Sequence, residues 1–167
     1  VINVGAATEL EMKDKKERVN DAVSATKAAI EEGIVPGGGV ALLRARKVLP
    51  KLKESLTVTD EKIGVDILYN ALADPMRWIA KNSGADEGWV VKHVEDSKIA
   101  DYGFNAMTLA FGSMTAFGIV DPAKVTRSAV QNAASIGMMV LTTEALVTDI
   151  PEKKEPMPGM PPSGMDY

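Results

Sequence analysis

The chain has 167 residues, 46% of them hydrophobic and 25% charged, and its 19 basic against 23 acidic residues leave a formal charge of -4. That balance supports a domain with an apolar core and excludes fibrous and wholly disordered classes. The absence of cysteine excludes a disulfide framework and thiolate metal sites, and without a Lys/Arg stripe interleaved with aromatics nucleic acid is an improbable partner.

The opening VINVGAA, Val1 to Ala7, alternates loosely and is rich in β-branched residues, so it reads as a strand needing a partner from elsewhere. It has neither an initiator Met nor a signal region, an abrupt start that implies upstream sequence. Thr8 then begins a TELE capping box with Glu11, predicting a helix to about Glu32 that Gly33 ends. Val19, Ala22, Val23, Thr26, Ala29 and Ile30 share one stripe while Lys13 to Arg18 is charged, which predicts a solvated first half and a buried second half. Asp21 sits midway along this helix with Arg18 three residues before it; an exposed ion pair is the simple reading of such spacing.

IVPGGGVALLRARKVL is a glycine loop running into a second helix. Gly37, Gly38 and Gly39 would let a ligand approach bare backbone amides, although the string is neither a P-loop nor GxGxxG and a plain turn before a helix is the better reading of the residues alone. Further helices are punctuated by Thr59 or Asp60 through Leu72, and by Asp74 and Pro75 to about Gly84. His93, on a helix around Val90 to Val94, is the sole histidine and cannot build a zinc site or a Ser/His/Asp triad.

In DYGFNAMTLAFGSM, Asn105 and Ala106 fall in a turn, where Asn105 could hydrogen-bond a base edge or a ribose. Asp121 and Pro122 are predicted as N-cap and first residue of a helix from about Ala123 to Glu144. Asp121 could accept from a ribose hydroxyl, but capping explains it without a ligand. Ala129, Ala133, Ile136, Gly137 and Val140 make that helix small and apolar almost all round, predicting burial. Ala145 to Ile150 is a short strand candidate, and residues 151–167, rich in Pro, Gly and Met, read as a disordered tail. No apolar run reaches the roughly 18 residues a membrane span needs. The chain is therefore mainly α with a few short strands.

The strings VGAATELEMKDKKERVNDAVSATKAAIEEGIVPGGGVALLRA, DYGFNAM and GIVDPAKVTRSAVQNAASIGMMVLTTEALVTDIPEK are very similar to the C-terminal third of group I, GroEL-type chaperonin subunits, and leave only the final tail uncovered. The resemblance implies the C-terminal part of the intermediate domain over 1–33, the C-terminal part of the equatorial ATP-binding helical bundle over 34–150, and a tail over 151–167. It implies a subunit of an ATP-dependent chaperone that folds non-native polypeptides inside a ring cavity. In the family the aspartate at the position of Asp21 swings into the ATP site and activates the attacking water. The glycine at Gly38 packs its backbone on the nucleotide, the positions of Asn105, Ala106 and Met107 border the adenine, and Asp121 matches the aspartate that binds ribose.

The cofactors so implied are ATP and Mg2+, and the metal ligands and the Gly-Asp-Gly-Thr-Thr phosphate loop do not occur in this sequence. Implied partners are unfolded polypeptides, a GroES-type co-chaperonin and further subunits in heptameric rings, with neither nucleic acid nor membrane. The implied location is the bacterial cytoplasm, or alternatively a mitochondrial or plastid matrix. By itself the piece is expected to bind ATP weakly or not at all and to hydrolyse none. Two departures stand out: Met107 replaces a smaller residue, predicting a tighter adenine pocket, and the tail lacks Gly-Gly-Met repeats. The competing reading is a stand-alone helical oligomerisation module; another kind of nucleotide enzyme lacks any nucleophile, base or metal cluster.

Overall fold

The computed structural model describes residues 1–149. Helix α1 (Glu9–Glu32) leads into β1 (Ile34–Pro36), then α2 (Val40–Ala45), a 3-10 turn (Arg46–Val48), α3 (Leu49–Ser55), α4 (Thr59–Ala71), α5 (Asp74–Asn82) and α6 (Glu87–Asp96). Strands β2 (Tyr102–Asn105) and β3 (Ala110–Ser113) form an antiparallel hairpin, and β4 (Val120–Pro122) returns antiparallel to β1 before the long α7 (Ala123–Thr142). The expected class, mainly helical with a few short strands, is what forms. Among the described residues no helix is long and apolar enough to cross a membrane.

Local signals set most of these boundaries. The Thr8 hydroxyl accepts from the Glu11 amide at 3.2 Å, and Gly33 ends α1 with φ +81°. Asp86 caps α6 by accepting from the Trp89 amide at 2.6 Å, and Pro75 occupies the first turn of α5. Packed together, Val40, Leu43, Ala73, Met76, Ala80, Val90, Val91, Val94, Phe104 and Met114 make the core between α2, α5, α6 and the hairpin. Each large side chain fully buried there contributes about 1.5–3 kcal/mol.

The structure departs from the sequence expectations in several places. Val1 to Ala6 carries no strand, because no segment of the described chain lies alongside to complete a ladder. The second half of α1 is not buried, with Val23 38% and Ile30 80% exposed, since its main packing among the described residues is against α7 and β4. For the same reason α7 is open rather than central, Ile136 being 57% and Val140 67% exposed, and it ends at Thr142. Ala145 to Asp149 forms no strand, and Ile150 and the expected tail lie outside the described residues. Ile34 to Pro36, read as loop, is instead a strand because β4 supplies its partner.

Candidate functional site

The glycine triplet is built by its neighbours. The Gly37 amide donates to the Ile119 carbonyl at 3.0 Å, and Gly38 and Gly39 take φ of +67° and +80°, the left-handed region that only glycine enters freely. A Cβ on Gly38 would lie 2.8 Å from Met114 Cε and 3.8 Å from the Phe104 carbonyl oxygen, and one on Gly39 would lie 2.9 Å from the Met76 amide nitrogen. The crowding that demands glycine therefore comes from this chain's own core. The Val40 amide, expected to be bare, donates to the Gly37 carbonyl at 3.2 Å.

Asp121 does not cap α7. It is the middle residue of β4, half-buried and opposite Val35, and Pro122 takes the N-cap position without a side-chain bond. Asp121 therefore stands one residue before the cap position, and no bond from its side chain reaches the helix start. With capping removed, its carboxylate has no hydrogen bond or ion pair among the described residues.

Asn105 closes β2. Its Oδ1 accepts from the Met107 amide at 3.0 Å and the Thr108 amide at 3.4 Å, an Asx turn. The oxygen is thus committed to its own loop, and the amide NH2 remains as the group to offer a base or ribose. Ala106 is half-buried against the core. Met107 is 95% exposed.

Gly38 is related through the fold to the end of β2 and, by way of β1, to β4. Gly38 faces the end of β2 across Met114, and Asp121 lies across the ladder from the strand that leads into Gly38. Asp21 does not join them: it is exposed on α1, twelve residues before Gly33, about 18 Å along a helix axis. Its expected ion pair does not form either. Arg18 turns to Asp14, 3.2 Å away at i-4, the arrangement with the acid N-terminal to the base that helices favour.

The end of α1 is fastened to α7 and β4. Arg127 makes a two-pronged pair with Glu32 at 2.7 and 3.1 Å, Lys124 pairs with Glu31, and the Ala123 amide donates to the Gly33 carbonyl at 3.0 Å. Hydrogen bonding from Arg127 holds the Glu32 carboxyl below its ordinary value, and the same bond raises Arg127.

Sequence reasoning missed the aromatic group on the opposite face of the hairpin. His93 stacks on Trp89 and meets Phe111 edge-on, with Tyr102 and Phe104 alongside. The i, i+4 spacing of Trp89 and His93 and the alternation of Tyr102 and Phe104 were the available signals. Two shallow grooves, about 460 and 570 Å3, are lined by none of the six expected site residues. In the first, Arg44 is engaged by the carbonyls of Glu95, Ser97 and Ile99. Among the described residues no three His, Cys, Asp or Glu side chains cluster to hold a metal.

Comparison with known proteins accords with this geometry. A crystal structure of a group III chaperonin in the open state superposes with a TM-score of 0.78 at 29% identity, over 86% of this chain and 30% of that one. The chain thus spans less than a third of that subunit's length. The TCP-1/cpn60 chaperonin family matches residues 1–151, and on that match the chain belongs to the TCP-1/cpn60 chaperonin family.

Proposed function

We propose that this chain is the C-terminal part of a group I-type subunit, an ATP-hydrolysing chaperone that refolds non-native polypeptides in a ring cavity. Residues 1–33 would then belong to an intermediate domain and 34–150 to an equatorial nucleotide-binding domain. The observation that carries the reading is Asp121: a half-buried residue of β4, paired with the Val35 that leads into the Gly38 loop, whose carboxylate has no hydrogen bond among the described residues. The Asp121 oxygens remain open to solvent, absent from the buried unpartnered atoms of the described residues, and an acceptor left open in this way can take a ribose hydroxyl as its donor.

In this reading Gly38 offers backbone to the nucleotide, Asn105, Ala106 and Met107 border the adenine, and Asp121 accepts from the ribose. Asp21 orients the attacking water and takes its proton. Reaching the site requires α1 to turn about its fastened end, and the fastening of Glu31, Glu32 and Gly33 to α7 and β4 supports such a lever. Magnesium, which neutralises phosphate charge when bound, would be held by residues outside this chain, as would the phosphates. The remaining partners of the reading are a co-chaperonin, heptameric rings and the bacterial cytoplasm, or an organelle matrix.

The decisive experiment places Asp21→Ala in the full-length subunit. Nucleotide affinity is expected to stay within about threefold while single-turnover hydrolysis falls by about 100-fold or more. Undiminished hydrolysis would sink the assigned role. For the 167-residue chain alone, calorimetry is expected to find no tight, magnesium-dependent ATP binding.

A further inference from the structure

The β2–β3 hairpin poses a physical problem. Two strands of four residues are marginal alone and need a helix or further strands to hold them. β2 is anchored through buried Gly103 and Phe104, but β3 contains no buried residue. The turn between them also includes Leu109 at φ +55°, an unfavourable conformation for a residue with a side chain.

We infer that the Trp89, His93 and Phe111 rings form a clamp that fixes β3 to α6 and thereby positions the Asn105–Met107 turn. Phe111 is opposite Phe104 in the ladder, and alternation puts Tyr102 on the same face. Four rings surround Phe111: His93 at 4.5 Å and 76°, Trp89 at 5.1 Å and 87°, Phe104 at 5.1 Å and 46°, and Tyr102 at 6.2 Å and 20°. His93 in turn stacks on Trp89 at 5.1 Å and 12°, and its Nε2 is 3.2 Å from the Tyr102 hydroxyl. Edge-on and offset contacts of this kind are directional and resist sliding.

On its other face the hairpin presents bare backbone. A Cβ on Gly103 would lie 2.5 Å from Val40 Cγ2, so β2 presses directly on the first residue of α2. The hairpin is therefore gripped between α2, through glycine, and α6, through rings. The next ladder pair after Phe104 and Phe111 is Asn105 and Ala110, which closes the turn. The carboxamide that orders Met107 and Thr108 thus belongs to the ladder pair directly adjacent to that of Phe111. Trp89 is 58% exposed, so the stack lies at the edge of the core and acts on the turn rather than on the fold as a whole.

The purpose given to that turn, bordering adenine, rests on the function proposed above; the clamp itself does not. The test is amide exchange of the whole 167-residue chain without nucleotide. Phe111→Leu and Trp89→Ala should speed exchange at Met107 and Thr108 by about tenfold or more, leaving Val91 and Val94 in α6 within about twofold. His93→Phe, which keeps a flat ring, should exchange like the parent, and His93→Ala should not. Unchanged Met107 exchange in Phe111→Leu, or equal acceleration at every amide, would overturn the clamp. Exchange as expected, with adenine nucleotide affinity of the full-length subunit indifferent to Phe111→Leu, would leave the clamp standing and remove only the nucleotide reading.

Discussion

Asp121 lies directly across the β1–β4 ladder from Val35, three residues before Gly38. This pairing turns a residue that reads as a helix cap into a strand residue with a free carboxylate. It also brings the start of α7 beside the end of α1, because the Ala123 amide reaches the Gly33 carbonyl.

Since nothing in the described fold depends on that carboxylate, Asp121→Asn is expected to change stability by no more than about 0.5 kcal/mol. Adenine nucleotide affinity of the full-length subunit should nevertheless fall by about tenfold or more, as expected when a charged acceptor becomes a neutral one. Thermal melting and equilibrium titration of the same preparation check both halves.

Gly39 and Gly33 both have φ near +80°, yet substitution should separate them. An alanine at Gly39 would place its Cβ 2.9 Å from the Met76 amide nitrogen, whereas at Gly33 it meets nothing within 4 Å. Gly33→Ala should cost about 2 kcal/mol, from strain alone, because φ +81° with ψ -170° is a region essentially confined to glycine. Gly39→Ala should cost about 3 kcal/mol or more, because rigid backbone must also move. Urea unfolding of the two variants gives the comparison, and equal costs would refute it.

The Arg46 side chain is 6% exposed, pairs with Glu95 at 2.7 Å and lies over the Tyr69 ring at 4.4 Å. Replacing it with Met should be tolerated better than replacing it with Ala, since Met fills the space and keeps the ring contact. Arg46→Ala should destabilise by at least about 2 kcal/mol, for it opens a cavity and leaves Glu95 without its cation. Chemical denaturation reads the order directly.

The fastening of α1 should loosen in acid. The Glu32 carboxyl, held below its ordinary 4.5 by Arg127, contributes fully above 4.5 and loses its contribution as pH falls through the lowered value. Arg127, raised further by its bond to Glu32, stays charged through neutral and mildly alkaline pH, so no loss is expected there. Exchange at the Ala123 amide, corrected for its intrinsic pH dependence, should therefore show weaker protection only in acid. Arg127→Gln should abolish that dependence.

Much of the backbone was legible from short-range chemistry. The Thr8 cap, the Gly33 stop, the Thr59 start and the Asp74–Pro75 start all appear where the sequence puts them, because capping and dihedral preference act between residues a few positions apart. The apolar stripes of α1 and α7 were legible as stripes, but their burial was not: a pattern specifies a face and leaves its occupant open. Arg18 had carboxylates at both i-4 and i+3, and the helix geometry chose Asp14.

By itself, then, the sequence determined the helix order, the glycine positions and the family strings, all local properties of residue type and spacing. Only the tertiary structure decided that Asp121 is a strand residue with a free carboxylate, that Asp21 stands apart from the other site residues, and that Trp89, His93 and Phe111 meet. These outcomes depend on contacts between distant segments, and they arise when β4 pairs with β1 and the hairpin packs on α6.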